Sequence, residues 1–166
     1  MLTSTMKGGI AETQIAAEAV RLGIVVLRPI VEGRRYDLVF DTGSRLLRVQ
    51  CKWAARKGGV VVVHTRGSRH TPRGYVWSTY DESEIDAVAV YCPDTRHCYY
   101  LPIEDVAGLS VVHLRLVAAA NHQEISVRYA ADYHLGAVAQ LGERRAGSAK
   151  VRGSSPLSST GSKRPR

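Results

Sequence analysis

Residues 46–53, Leu-Leu-Arg-Val-Gln-Cys-Lys-Trp, constrain the fold more than any other stretch of the chain. Alternation puts Leu47, Val49, Cys51 and Trp53 on one face and Arg48, Gln50 and Lys52 on the other, the period of a half-buried β-strand. Such a strand needs a partner and an apolar cover. Tyr36-Asp37-Leu38-Val39-Phe40 supplies the partner through the turn-forming residues Asp41-Thr42-Gly43-Ser44, so a hairpin is expected. The cover is an amphipathic helix over Gly9 to Leu22, in which Ala11, Ile15, Ala19 and Leu22 recur at helical spacing and Gly23 follows as a stop.

Further strands fit Ile24–Arg28, closed by Pro29, and Val60–His64, whose unbroken apolar run reads as a central strand buried on both faces. A polar loop is expected through Arg66-Gly67-Ser68-Arg69, and a second hairpin over Asp86–Tyr91 and Cys98–Leu101 around Pro93-Asp94-Thr95. Val111–Leu116 fits a strand or a buried helical turn equally well, because periodicity does not separate them. The elements together predict an α/β fold with a central mixed β-sheet flanked by helices.

A length of 166 residues suits one ordinary domain. From Gly136 onward large apolar residues thin out and no period survives, so the domain is expected over 1–136, with a basic, disordered tail over 137–166. There is no run of apolar residues long enough to span a membrane, and the start Met1-Leu2-Thr3-Ser4-Thr5-Met6-Lys7 lacks a signal-peptide core. A soluble, cytoplasmic protein is expected. The cysteines Cys51, Cys92 and Cys98 are too few for a disulfide framework and read as reduced thiols.

The net charge of +8 is unevenly distributed. Residues 137–166 hold seven Lys/Arg against one acid, and residues 21–73 hold twelve against Glu32, Asp37 and Asp41. Residues 74–136 reverse the sign, with three basic and nine acidic residues. If the first half folds compactly it presents a basic surface suited to phosphates, although a solvated strand face would look the same.

Chemistry concentrates on the first hairpin. It brings Asp37 alongside Gln50 and Lys52 on one polar face, where the Asp37 carboxylate, the Gln50 amide oxygen and the Cys51 backbone carbonyl can offer hard oxygens to Mg²⁺ or Mn²⁺. Lys52 can orient a water or stabilise charge developing on a phosphate, which together describes metal-assisted phosphodiester hydrolysis. The plain alternative is a cross-strand ion pair between Asp37 and Lys52. Arg66, Arg69, His70 and Arg73 lie in a Gly/Ser/Thr/Pro-rich stretch that can enter a DNA groove, or simply be solvated. Lys7-Gly8-Gly9, at the expected helix start, can offer Lys7 and free N–H groups to a phosphate. Cys92, His97 and Cys98 lack the second ligand pair of a zinc site. Motifs for hydrolase triads, nucleotide phosphate loops and dinucleotide binding are missing.

Tyr36-Asp37, a hairpin and then Gln50-Cys51-Lys52, preceded by a helix carrying Glu12, resembles the PD-(D/E)XK nuclease superfamily. Within it, Lys7-Gly8-Gly9-Ile10-Ala11-Glu12 with Val49-Gln50-Cys51-Lys52 is similar to homing endonucleases encoded in bacterial group I introns, which interrupt tRNA genes. The resemblance covers roughly residues 7–130 and implies a restriction-endonuclease-like core, Mg²⁺-dependent cleavage of double-stranded DNA, catalytic Glu12, Asp37, Gln50 and Lys52, and a homo-oligomer, either a dimer or a dimer of dimers. Tyr36 stands where proline is common, and Gln50 where Asp or Glu is usual; the intron-encoded group is similar in using this Gln. Geometry alone does not choose between Glu12 and Glu18 as the further acid, and the family pattern favours Glu12. The tail fits the same neighbourhood: Val138–Arg144 and Val151–Pro156 can be back-translated into the arms of a tRNA gene, as if the reading frame ran into one, the alternative being an ordinary basic nucleic-acid-binding arm. Two other readings share these features, namely a structure-selective nuclease acting on branched DNA and a catalytically silent DNA-binding protein.

Overall fold

The computed structural model describes residues 1–31, 33–117 and 127–136, without the side chains of Arg69 and His70. The expected tail at 137–166 and the Arg69 side chain lie outside the described residues. In chain order the elements are α1 (Ser4–Arg21), β1 (Val25–Leu27), β2 (Leu38–Asp41), β3 (Leu46–Trp53), β4 (Ala55–Lys57), β5 (Val60–His64), β6 (Arg66–Thr71), β7 (Gly74–Thr79), β8 (Ala87–Cys92), β9 (His97–Pro102), α2 (Ile103–Val106) and β10 (Val111–Arg115).

Helix α1 begins at Ser4 rather than Gly9, because Thr3 caps it: its hydroxyl accepts the Met6 N–H at 3.2 Å, satisfying one donor that the helix leaves unpaired. Lys7, Gly8 and Gly9 therefore lie inside the helix, and the Lys7 N–H is spent on the Thr3 carbonyl at 3.0 Å. This corrects the expectation of free N–H groups for a phosphate at that point. Ala11, Ile15 and Ala19 are fully buried, and they pack on Leu38, Phe40, Val49 and Ala89 across one face of the main sheet.

That sheet has five strands in the order β1-β2-β3-β8-β9. It is mixed as predicted: β3 and β8 run parallel, with Val49 opposite Ala87 and Trp53 opposite Tyr91, and every other neighbour is antiparallel. A parallel pair demands a long crossover, and residues 54–86 form it. This explains the main departure in the fold. Val60–His64 is a middle strand, but of a second sheet ordered β10-β5-β4, because β8 already fills the place beside β3. Val61 and Val63 face Val88, Val90, Tyr99 and Leu101, so the second sheet and α2 cover the far side of β8 and β9. Residues 111–115, open on periodicity, form a strand of that sheet.

The polar stretch Arg66–Arg69 is a strand and not a loop. It pairs with β7 as a two-stranded ribbon, Arg66 opposite Thr79 and Thr71 opposite Gly74. Gly74 turns this ribbon at φ +110°, a conformation that a side chain disfavours. Among the described residues no helix is long and apolar enough to cross a membrane.

Because Ile15 is wholly enclosed between α1 and the sheet, Ile15→Ala is expected to cost about 2–5 kcal/mol through reduced burial and the cavity left behind. The exposed neighbour Gln14, replaced by Ala, should stay within about 0.5 kcal/mol of the parent chain. Urea unfolding midpoints compare the two.

Candidate active site

The site grows from the start of β2. The Asp37 N–H donates to the Val49 carbonyl at 2.9 Å, which extends the ladder by one residue and fixes Asp37 beside Gln50. The carboxylate then turns to the backbone of β3: one of its oxygens accepts the Cys51 N–H at 2.7 Å and also the Gln50 side-chain NH₂. That same NH₂ donates to the Cys51 carbonyl at 3.3 Å. A carboxylate, a backbone carbonyl and an amide thus meet at one point. A half-turn of the Gln50 amide exchanges its nitrogen for its oxygen, and three hard oxygens then converge.

This donor set fits Mg²⁺ or Mn²⁺ better than a soft metal. The Cys51 thiol alternates away from the site into the core under α1, where burial, with the charges of Asp37 and Glu12, pushes its pKa well up. Among the described residues no group of three His, Cys, Asp or Glu side chains is arranged to hold a metal, so a cation site here depends on the amide and carbonyl.

Electrostatics point the same way. Burial raises the Asp37 pKa and the nearby Glu12 raises it further, against the opposing pull of the Cys51 N–H, Lys52 and the Gln50 amide. A carboxylate held against its own charge, with a second acid beside it, is an environment that a cation relieves. Glu12 is half-buried on α1 and paired with Arg28 at 3.5 Å. Glu18 pairs with Arg21 on its own helix and acts on Cys98 and His134 instead. The helix therefore turns Glu12, and not Glu18, toward Asp37.

Lys52 lies on the same face of β3, where burial lowers its pKa and Arg35 adds to the lowering. No ion pair joins Lys52 to Asp37 among the described residues; the ammonium donates instead to the Arg66 carbonyl at 3.3 Å and sits 5.3 Å from the centre of the Tyr80 ring. Lys7 reaches back from α1 to the ring of Trp53, at 5.9 Å, near the same end of β3. Arg66 is exposed at the root of the ribbon, stacked toward Trp77 at 5.8 Å, and Arg73 is exposed in its turn. Sequence reasoning missed Arg35 and Tyr80, which border Lys52 from residues far apart in the chain. It also missed the exposed Tyr75 and Trp77, which mark the ribbon's outer side.

A pH prediction follows from Asp37. Burial favours its protonated form in the folded chain, so ionisation subtracts stability, and the loss sets in as pH rises through the folded-state pKa. Asp37→Asn removes that charge. Its melting temperature is expected to match the parent chain in acid and to equal or exceed it at pH 7.5, as thermal scans without added metal would show.

Three comparisons bear on this arrangement. A bacterial homing endonuclease of known structure, I-Ssp6803I, superposes with a TM-score of 0.67 at 27% identity, over 90% of this chain and 100% of that one. A search of curated protein sequences finds no match. A family profile described as PD-(D/E)XK endonuclease matches residues 2–136, which takes in α1, both hairpins of the main sheet and every residue around Asp37. With most of its length matched, the chain belongs to the PD-(D/E)XK endonuclease family.

Proposed function

We propose that this chain is a site-specific endonuclease that hydrolyses phosphodiester bonds of double-stranded DNA with Mg²⁺ or Mn²⁺, and that it acts as a group I intron homing endonuclease on a tRNA gene. The observation that carries the reading is the meeting of the Asp37 carboxylate, the Cys51 carbonyl and the Gln50 amide near Lys52, where β3 ends. The homing activity named for the similar structure supports the finer assignment, and the tRNA-like tail supports the target.

Asp37, Gln50 and the Cys51 carbonyl would hold the cation, with Glu12 as the further acid beside it. When bound, the cation supplies positive charge to the scissile phosphate and to the attacking water. Lys52 places its ammonium toward the same phosphate, orienting the water and offsetting the charge that grows as the bond breaks. Lys7, Arg66, Arg69 and Arg73 meet the DNA backbone, and the β6–β7 ribbon has the width of an element that enters a groove. Cutting both strands needs two such sites, so the working form is a symmetric assembly, a dimer or a dimer of dimers. The protein works in the cytoplasm, alongside the genome. Residues 1–136 form the nuclease, and 137–166 are translated tRNA-gene sequence that was never selected for function.

Incubation with an intronless tRNA gene, an intron-containing copy and a four-way junction, with and without Mg²⁺, tests the reading. Cleavage of the intronless gene alone is expected. A cut junction would favour the structure-selective enzyme, and binding without any cut the silent DNA-binding protein. In the same assay Asp37→Ala and Lys52→Ala should abolish cutting, by roughly 10³-fold or more, while leaving DNA affinity largely intact. Gln50→Glu should retain some activity and Gln50→Leu should lose it, because only leucine has no oxygen to offer.

Truncation after Gly136 should leave folding and specific cutting unchanged. The seven Lys/Arg of the tail can still touch phosphates without reading sequence, and removing each such phosphate interaction lowers the salt slope of nonspecific binding by roughly 0.9. A truncated protein that unfolds, or that binds DNA without selecting its site, would move the domain boundary past Gly136.

A further inference from the structure

The root of the β6–β7 ribbon is tied to the active site at the end of β3 by two cations that share one ring. Arg66 and Thr79 are register partners at that root. Lys52 donates to the Arg66 carbonyl at 3.3 Å, and Arg35 donates to the Thr79 carbonyl at 3.1 Å. Between them stands Tyr80, only 4% exposed, with the Arg35 guanidinium 4.3 Å and the Lys52 ammonium 5.3 Å from its ring centre. Arg35 is held in turn by Glu84 at 3.0 Å. The ribbon fits this corner without slack: a Cβ on Gly67 would lie 2.6 Å from both the Arg35 guanidinium and the Tyr80 hydroxyl.

Two attractive contacts of a cation with one buried ring, and two backbone carbonyls of one ribbon accepting from those same cations, make a closed loop of interactions. Moving the ribbon root moves the carbonyl that holds Lys52. We propose that Tyr80 and Arg35 are positioning residues that seat the ribbon beside the active site at the end of β3 and, through Tyr80 and the Arg66 carbonyl, set the place of the Lys52 ammonium. The inference rests on the active-site reading above and adds to it a mechanical link: a ribbon seated in DNA is the ribbon that aims the lysine.

The test uses the full chain with isotope labels and the variants Tyr80→Phe, Tyr80→Leu, Gly67→Ala and Lys52→Ala. In NMR spectra the Lys52 Hε resonances should lie upfield in the parent chain and in Tyr80→Phe, where the ring is kept. They should move back toward those of exposed lysines in Tyr80→Leu and in Gly67→Ala, whose added methyl displaces ring and guanidinium without deleting either. In single-turnover cleavage of the intronless tRNA gene, Tyr80→Leu and Gly67→Ala should lose roughly 10- to 100-fold in rate, the scale expected when a catalytic group is misplaced by about 1 Å. Their DNA affinity should stay within about twofold, and Tyr80→Phe should retain the rate.

Unmoved Lys52 resonances in both variants, full cleavage by both, or a loss of binding that accounts for the whole loss of rate would each overturn the proposal. If Tyr80→Leu fails to fold, Gly67→Ala carries the same readouts with the core ring in place. Lys52→Ala separates this inference from the reading beneath it. Should Lys52→Ala cut normally, or the parent chain cut none of the DNAs, the active-site reading falls; should Lys52→Ala be inactive while Tyr80→Leu and Gly67→Ala cut normally, only the positioning role falls.

Discussion

The antiparallel register that sets Leu38 opposite Val49 and Phe40 opposite Leu47 decides both faces of the main sheet at once. On one face Leu38, Phe40 and Val49 are fully buried against Ile15 and Ala19 of α1, each large side chain contributing about 1.5–3 kcal/mol. A slip of one residue would turn this set to solvent, so the register is strongly specified. The polar face inherits that precision without contributing to it. Asp37 meets the Cys51 N–H, and Gln50 meets Asp37, because hydrophobic burial behind them has already fixed which residues stand side by side.

The parallel pairing of β3 with β8 is the second constraint, and its register is clamped where β8 begins. Asp86 accepts the backbone N–H and the guanidinium of Arg48 at 2.7 and 3.0 Å, and its own N–H returns to the Arg48 carbonyl at 2.8 Å. Burial opposes the charge on Asp86, yet the Arg48 hydrogen bonds outweigh it and hold the carboxyl below its usual range. The crossover that parallel pairing requires then has to leave the end of β3 and return to the start of β8. It does so through a small sheet that closes the core and a ribbon that stands over Lys52. A requirement of sheet topology thus delivers the basic ribbon of the crossover to the end of β3 that carries Lys52.

Much of this was legible in the sequence. Leu46–Trp53 and Val60–His64 have the bounds that their patterns predict, since strong alternation and an unbroken valine run are local signals. The sheet to which Val60–His64 belongs was not legible, because that depends on β8 taking the place beside β3, a choice made by residues 87–91. Strand β6 was not legible either: Arg-Gly-Ser-Arg-His-Thr has no apolar alternation, and what holds its root is Arg35, Lys52 and Tyr80. Helix α1 was placed but begun too late, since its apolar spacing starts only at Ala11 and the Thr3 cap was overlooked. Glu12 and Glu18 share a helix and an apolar stripe. Only their partners, Arg28 and Asp37 for one and Arg21 for the other, tell them apart.

Gln50 acquires a physical reason from the charges around it. The resemblance to the superfamily implies an acid at this position, but Asp37 is already pushed toward its neutral form by burial and by Glu12. A carboxylate at position 50, whose side chain touches Asp37, would add a further negative charge beside Asp37, which already feels that of Glu12. Both oxygens of such a pair repel at contact distance, so one of them would be held protonated and lost as an anionic donor. An amide avoids this conflict. It donates to Asp37 and the Cys51 carbonyl while no cation is near, which keeps both acceptors satisfied, and it offers an oxygen in their place after a half-turn. On the proposed reading, the neutral side chain gives up some attraction for the cation in exchange for a site that gains no further charge beside Asp37 and whose parts stay in register before the cation arrives.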